Sequence, residues 1–499
     1  MRPTVSRSLS DAARVRKGIS LRRFSLTAAR HRPVEAEKVH DGEPNHTSIK
    51  PKTGDKSAIL HSKLDTRPPT IVGSNGNYLI AEGGREILDA SGGAAVACIG
   101  HNNSRVNNAI MRQLQSVSYI YAPFFTSKAS EKLAALLSES TQHQLSKAFI
   151  VSSGTEAIEA ALKMARQYFL ELPNPEPSRT RFIARRQSYH GNTLGSLSLG
   201  GHAGRRAPYA PILTTNVSHV SPCYSYRGKR AEETDEDYVA RLAQELEDEF
   251  QAVGPSTVCA FVAETVSGTT LGCVPPVPGY LQAMKKVCDR HGALFILDEV
   301  MSGMGRCGTL HAWEQEGIVP DLQTVAKGLG GGYAPIGALL VNKRVINALE
   351  QGTGGFIHSQ TYQGHPVACA AAYEVQKIIK EENLLQNVRT LGEYLGSRLR
   401  EQLGDHKHVG DIRGRGFFWG IEFVKDKESK EPFPAEQKIA PLIHKTGLSE
   451  YSISFIPGTG VADGKNGDII QIAPPYNATK ADIDLIVERT GLVVKRVLG

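Results

Sequence analysis

Apolar residues fall along this chain in two alternating rhythms. Ala148, Phe149, Ile150 and Val151 form a short unbroken run, and Ile158, Ala161, Leu162, Ala165 and Phe169 follow it at intervals of three and four. The run predicts a strand buried on both faces, and the spacing predicts a helix laid against it. Further strand candidates lie at residues 182–184, 259–262, 294–297 and 322–325. Strands and helices in alternation predict an α/β architecture: a mostly parallel sheet with helices on both faces, from about residue 125 to 355.

The flanks read differently. Ile71 and Val72, residues 78–80, and Ile87 and Leu88 are short apolar pieces separated by Gly-rich turns, the pattern of a small meander of hairpins. Beyond about His365 come a long helical pattern, the apolar run 417–421 and a terminal helix from Thr479. The expected organisation is therefore a leader and linker without stable structure at 1–69, then an N-terminal segment at 70–124 that joins a smaller domain. A large domain at 125–355 carries the chemistry, and the smaller α+β domain with its connecting helix occupies 356–499. No internal repeat is evident, and no apolar stretch approaches the 18 residues of a membrane-spanning helix.

Charge changes this picture only at the front. The formal net charge is +7, but residues 1–32 hold eight arginines and one lysine against the single acid Asp11. The rest of the chain is close to neutral, which removes the electrostatic case for nucleic acid as a partner. An Arg- and Ser-rich, acid-poor leader has the composition of a mitochondrial transit peptide; a basic tail without structure is the alternative, with a cytoplasmic protein. The seven cysteines are scattered and form no C-x-x-C element, so reduced thiols are expected. Compact His/Cys spacings are absent too, so no metal site is expected.

Ligands in an open α/β sheet gather at the carboxyl ends of the strands. The polar residues that follow the apolar runs are Ser153, Gly154 and Thr155, then Tyr189 and His190, then Glu264, Asp298 and Lys327. Ser153 to Thr155 open a helix where free amides would suit a phosphate, although a Ser or Thr before Glu156 would equally be a plain N-cap. Residues 328–332 are Gly-rich, but Tyr333 stands where a dinucleotide loop needs a small residue. Asp298 and Lys327 end two apolar runs, where a charge is costly unless paired. They could brace a turn as an ion pair. With a phosphate pocket and an aromatic ring, the same two residues supply what pyridoxal phosphate needs: an amine for the imine, and a carboxylate that keeps the pyridine nitrogen protonated.

The stretch 295–306, from Phe295 through Asp298, Glu299 and Gly303 to Arg306, together with 320–328, from Pro320 and Asp321 to Lys327 and Gly328, resembles the signature of class III (ω-type) aminotransferases. The similarity runs from about residue 70 to the C-terminus. It implies the fold type I of pyridoxal-phosphate-dependent transferases and amino transfer by a ping-pong mechanism, from an amine or amino acid to a 2-oxo acid or aldehyde. On the same basis Lys327 forms the Schiff base and shuttles the proton, while Asp298 pairs with the pyridine nitrogen. Gly154 and Thr155, with Ser153 beside them, bind the phosphate; Tyr189 and Val300 pack on the ring, and His190 and Glu264 complete the cofactor site. Thr361 is similar to the family's threonine that reaches the phosphate of the neighbouring subunit, which implies a homodimer with active sites at the interface.

Ornithine and 4-aminobutyrate aminotransferases of this family bind a substrate carboxylate with an Arg that a Glu gates; here Gln471 and Thr269 occupy those positions. A preference for pyruvate or an aldehyde over 2-oxoglutarate is expected. Tyr121 and Phe124, in a cluster with Tyr119 and Phe125, are candidate substrate-pocket residues or simply core. Arg413 and Arg415 are candidate carboxylate anchors. A racemase or lyase on the same fold, or a noncatalytic binding protein, are the competing readings; the intact Asp298 and Lys327 pair weighs against the last.

Overall fold

The computed structural model describes residues 52–53 and 57–499. The Arg-rich leader, and with it the transit-peptide expectation, lies outside the described residues. The linker ahead of Thr70 was expected to lack structure, yet Lys52–Thr53 pairs antiparallel with Thr66–Arg67. Its residues, Lys, Thr, Thr and Arg, are polar, so no apolar pattern announces it.

A seven-stranded sheet forms the centre. Its order is Leu145–Val151, Gly337–Asn342, Leu322–Val325, Leu294–Asp298, Val258–Glu264, Arg181–Arg185 and Val217–Val220. Gly337–Asn342 runs antiparallel to both its neighbours, and the other pairs are parallel. Two of these strands are missing from the sequence reading. Gly337–Asn342 is Gly, Ala and Leu at its start and follows a Gly-rich run, a poor β signal. Val217–Val220 alternates Val with Ser and His as an edge strand does.

Residues within one strand divide strictly by parity. In Leu294–Asp298, Phe295 and Leu297 enter one core with Leu133, Leu242 and Met284, and Leu294 and Ile296 enter the other with Ala161, Met164 and Val345. Both faces are covered by helices, and that is why the run is apolar throughout instead of alternating. Each such Leu, Ile or Phe stabilises the sheet by about 1.5–3 kcal/mol through burial. The helix Gly154–Glu171 covers the second face, presenting Ile158, Ala161, Met164 and Ala165.

A second core joins the two ends of the chain. Ile71–Asn75, Tyr78–Ala81 and Glu86–Asp89 form an antiparallel meander, and Ile453–Ser454 adds to it in parallel. Next to it, Val409–Arg415, Phe418–Asp426, Asp468–Ile472 and Ile456–Thr459 form an antiparallel sheet. The long helical pattern after His365 is two helices, Pro366–Glu381 and Leu384–Leu403, divided at Asn383 with φ +51°. Thr479 caps the last helix, Lys480–Leu498, through a capping box with Asp482.

Candidate active site

Ends of the parallel strands open on one cavity of about 460 Å3. Leu145–Val151 delivers Ser152, Gly154 and Thr155 to it; Arg181–Arg185 delivers Tyr189, His190 and Gly191. Val258–Glu264, Leu294–Asp298 and Leu322–Val325 end in Glu264, Asp298 and the Ala326–Lys327 pair. Residues more than 170 positions apart thus meet because parallel strands all end on the same edge.

The helix start is shaped for an anion. Ser153 is the N-cap, and its hydroxyl accepts from the Glu156 amide. It is committed to that cap and does not line the cavity; its neighbour Ser152 does. The first amides of the helix, at Gly154 and Thr155, have no carbonyl within the helix to bond. A side chain at Gly154 would stand 2.8 and 2.9 Å from the Val300 methyls, so glycine is what lets these two walls close. Gly191 has φ +135°, and a Cβ there would collide with Thr155 Oγ1 at 2.0 Å. That hydroxyl accepts from the Asn192 amide at 3.0 Å and bonds Ser196 Oγ at 2.8 Å, which fixes the tight turn over the helix end.

Asp298 is held on two sides. Its Oδ2 lies 2.8 Å from His190 Nδ1, and its Oδ1 accepts from the Val300 amide at 2.9 Å. His190 Nε2 is buried without a partner among the described residues. Glu264 is buried beside it: Oε1 accepts from the Gly268 amide at 3.0 Å, while Oε2 has no hydrogen bond and lies 3.7 Å from Arg185. Burial pushes the Glu264 carboxyl above its usual range, with the nearby His190 and Arg185 opposing. Tyr189 is half-buried, and its ring carries the Arg205 guanidinium 4.8 Å from the centroid.

Lys327 follows its strand in a left-handed conformation, φ +39°, inside the short 3-10 turn Lys327–Leu329. A non-glycine residue in this region costs about 1–3 kcal/mol and persists only where its surroundings impose it. Burial lowers its pKa to about 8, against the opposing pull of Asp298 and Glu264. Its amine makes no ion pair or hydrogen bond among the described residues. The bracing ion pair with Asp298 is therefore not formed; the carboxylate belongs to His190 and the amine is free.

A free half-buried amine, outward-facing helix amides, an anchored carboxylate and an orphaned imidazole nitrogen are the donor set for an aldehyde-bearing pyridine phosphate. Residues 62–494 match the model of the class III aminotransferase family. An aminotransferase of Gibberella zeae is 52% identical over 91% of this chain and 89% of its own. An uncharacterized aminotransferase of Schizosaccharomyces pombe is 48% identical over 89% and 96%. Among solved structures, an amine transaminase from an uncultivated Pseudomonas species in its PLP-bound form superposes with TM-score 0.82 at 30% identity, over 90% of this chain and all of that one.

The chain belongs to the class III aminotransferases. It is a pyridoxal-phosphate-dependent enzyme of fold type I, and amino transfer is its activity.

The substrate end of this aminotransferase differs from the sequence reading. Gln471 is fully buried and does not line the cavity: its Oε1 accepts from Thr269 Oγ1 at 2.9 Å and its Nε2 donates to Cys273 Sγ at 3.1 Å. Thr269, in front of it, is the lining residue. Arg413 is a brace and not an anchor. Its Nη1 lies 2.9 Å from Asp411 and 2.7 Å from Glu422, and Nε and Nη2 donate to the carbonyls of Gly272 and Leu271. Arg415 pairs with Glu316 at 2.7 Å. Tyr121 and Phe124 are neither core nor cavity lining; they are 45% and 76% exposed and stack edge-to-face. Thr361 is also exposed and away from the cavity. Sequence reasoning missed Ala334, Pro335 and Ile336 and, from the N-terminal segment, Val96 as walls. The first three directly follow the Gly-rich run and could have been found as the far side of the lysine turn; nothing local marks Val96.

Proposed function

We propose that the strand-end residues divide the work of amino transfer, and that Lys327 is its centre. Lys327 Nζ would hold the cofactor covalently until the substrate's amine displaces it; the freed amine then takes the proton from the substrate carbon that bears the amine and returns it as the amino group moves. Asp298, steadied by His190 and the Val300 amide, holds the proton of the pyridine nitrogen. The amides of Gly154 and Thr155 hold the phosphate at the helix start, and Tyr189 and Val300 pack on the ring. Glu264 closes the site beside His190. When bound, pyridoxal phosphate supplies the electron sink for the carbon that loses its proton. The observation that carries this reading is the amine of Lys327: half-buried, without a hydrogen bond or ion pair among the described residues, and lining one cavity with Asp298.

The partners in this reading are small molecules that carry at most one carboxylate. The neutral Thr269–Gln471 hydrogen bond supports it, since it occupies the place where relatives of the ornithine kind set a gated cation. We also propose a homodimer. Phe124, Phe125, Ile357 and Tyr362 are all more than half exposed, and Tyr119 stacks on Tyr362. Apolar surface of this kind marks an interface, and Thr361 lies within it. The Arg-rich leader supports a mitochondrial address.

A ping-pong enzyme leaves a stoichiometric trace. Cofactor-loaded protein given an amine donor and no acceptor should release one equivalent of oxo product per active site and stop; pyruvate added afterwards should be converted to one equivalent of alanine. Continuous oxo release without an acceptor would overturn the reading.

A further inference from the structure

A second cavity, of about 660 Å3, lies between the turn His202–Ala207 and the loop Pro457–Lys465, and Thr269 lines both it and the cofactor cavity. Tyr189, which faces the cofactor cavity, carries on its ring the guanidinium of Arg205, which faces the second one. The two spaces therefore meet along Tyr189 and Thr269.

Arg205 differs from the other cations nearby. Arg206, its neighbour in sequence, donates to the carbonyls of Ser198 and Gly200. Arg413 and Arg415 are ion-paired away from the site. Lys465 reaches Glu436 at 3.9 Å. Arg205 makes no ion pair among the described residues, and the ring of Tyr189 is its recorded side-chain partner. Asp463, the carboxylate of the second cavity, turns into its own loop, accepting from the amides of Lys465 and Asn466 and from Asn466 Nδ2. Burial lowers the pKa of His202, whose ring lies 3.4 Å from the Thr459 carbonyl. The backbone of Arg205 is fixed, because its amide donates to His202 Nδ1 and to the His202 carbonyl.

We propose that Arg205 is the carboxylate anchor of this aminotransferase: it reads the single carboxylate of an oxo-acid or amino-acid substrate that extends from Lys327 past Thr269. The proposal rests on the aminotransferase reading of the Lys327 site. A guanidinium packed over an aromatic ring, with no competing acid among the described residues, leaves its N–H donors to a carboxylate. One such cation, with none at Gln471, also accounts for a site fitted to monocarboxylates.

The test compares cofactor-loaded wild-type protein with Arg205→Gln and Arg205→Lys. The measurements are kcat/KM for pyruvate and for butanal, with 1-phenylethylamine as common donor, and calorimetric binding of propanoate. For Arg205→Gln, the ratio of pyruvate to butanal kcat/KM should fall by roughly tenfold to a hundredfold, the value of a charge-assisted contact, and propanoate affinity should fall in step. Arg205→Lys should recover part of both, since it keeps the charge and loses the fork. An equal loss for both acceptors, or undiminished propanoate binding, would overturn the anchor and leave Arg205 as a prop for Tyr189. Propanoate binding requires no turnover. Loss of that binding in Arg205→Gln therefore supports the anchor even if neither acceptor reacts, a result that would count against the acceptor reading alone.

Discussion

At the cofactor end of the cavity the residues around the unpartnered Lys327 amine are tied to other groups of the chain. Asp298 has His190 and the Val300 amide, Thr155 has the Asn192 amide and Ser196, and Ser153 has the first turn of its helix. Beyond Thr269 the same chain sets a neutral Thr269–Gln471 pair and an arginine resting on a tyrosine. The contrast teaches where change is tolerated. A substitution at the cofactor end strands a buried partner, which costs about 1–3 kcal/mol before any chemistry is considered. At the substrate end the groups are neutral or solvated, so specificity can drift while the reaction is kept.

The largest effect is expected at Lys327. Lys327→Ala should fold and bind cofactor without a covalent link, and turnover should drop by at least roughly 10²–10⁴-fold, the contribution of a positioned acid–base group. Steady-state rates near those of the parent would remove Lys327 from the centre of the site. Cofactor capture by the metal- and ligand-free parent offers a pH readout of the same residue. Burial places the amine at about 8, below its ordinary value, so its neutral, nucleophilic form grows as pH rises through 8. The capture rate should climb across that window and level above it. In stability the sign is the same: the fold disfavours the charged amine, so the penalty is complete below about pH 8 and fades as pH rises toward the unfolded pKa.

Asp298→Asn comes next. An amide cannot hold the pyridine proton, and it leaves His190 Nδ1 without its carboxylate; a rate loss of about two to three orders of magnitude is expected, the scale of one preorganised electrostatic group. Single-turnover rates equal to the parent's would sink the electronic role.

A smaller shift is expected at the other end. Thr269→Glu with Gln471→Arg places a charged pair where the neutral one sits, and should move the kcat/KM ratio of 2-oxoglutarate to pyruvate upward by about tenfold, or about 1.4 kcal/mol. The parent should prefer pyruvate; a clear preference for 2-oxoglutarate would mean that another cation reads a distal carboxylate. The smallest effect on catalysis is expected from removing residues 1–32, which hold charge but none of the residues assigned to the chemistry. Activity should be unchanged, and a fluorescent fusion of those residues should enter mitochondria; diffuse cytosolic signal would remove that address.

The sequence by itself determined five of the seven strands of the central sheet and the polar residues that end them. A parallel strand covered on both faces is mostly apolar, so 294–297 was legible as a run, and a charge just beyond a buried strand, as at Asp298 and Lys327, is costly enough to stand out. Short-range rules also placed the helix after Ser153 and the cap at Thr479. Only the tertiary structure decided which charges were free. Arg413 and Arg205 look alike in sequence, but one is enclosed by Asp411 and Glu422 from its own sheet while the other meets only the face of Tyr189. It likewise decided that Asp298 belongs to His190 and not to Lys327. His190 and Asp298 come from segments 108 residues apart, and no local pattern of residues records that distance.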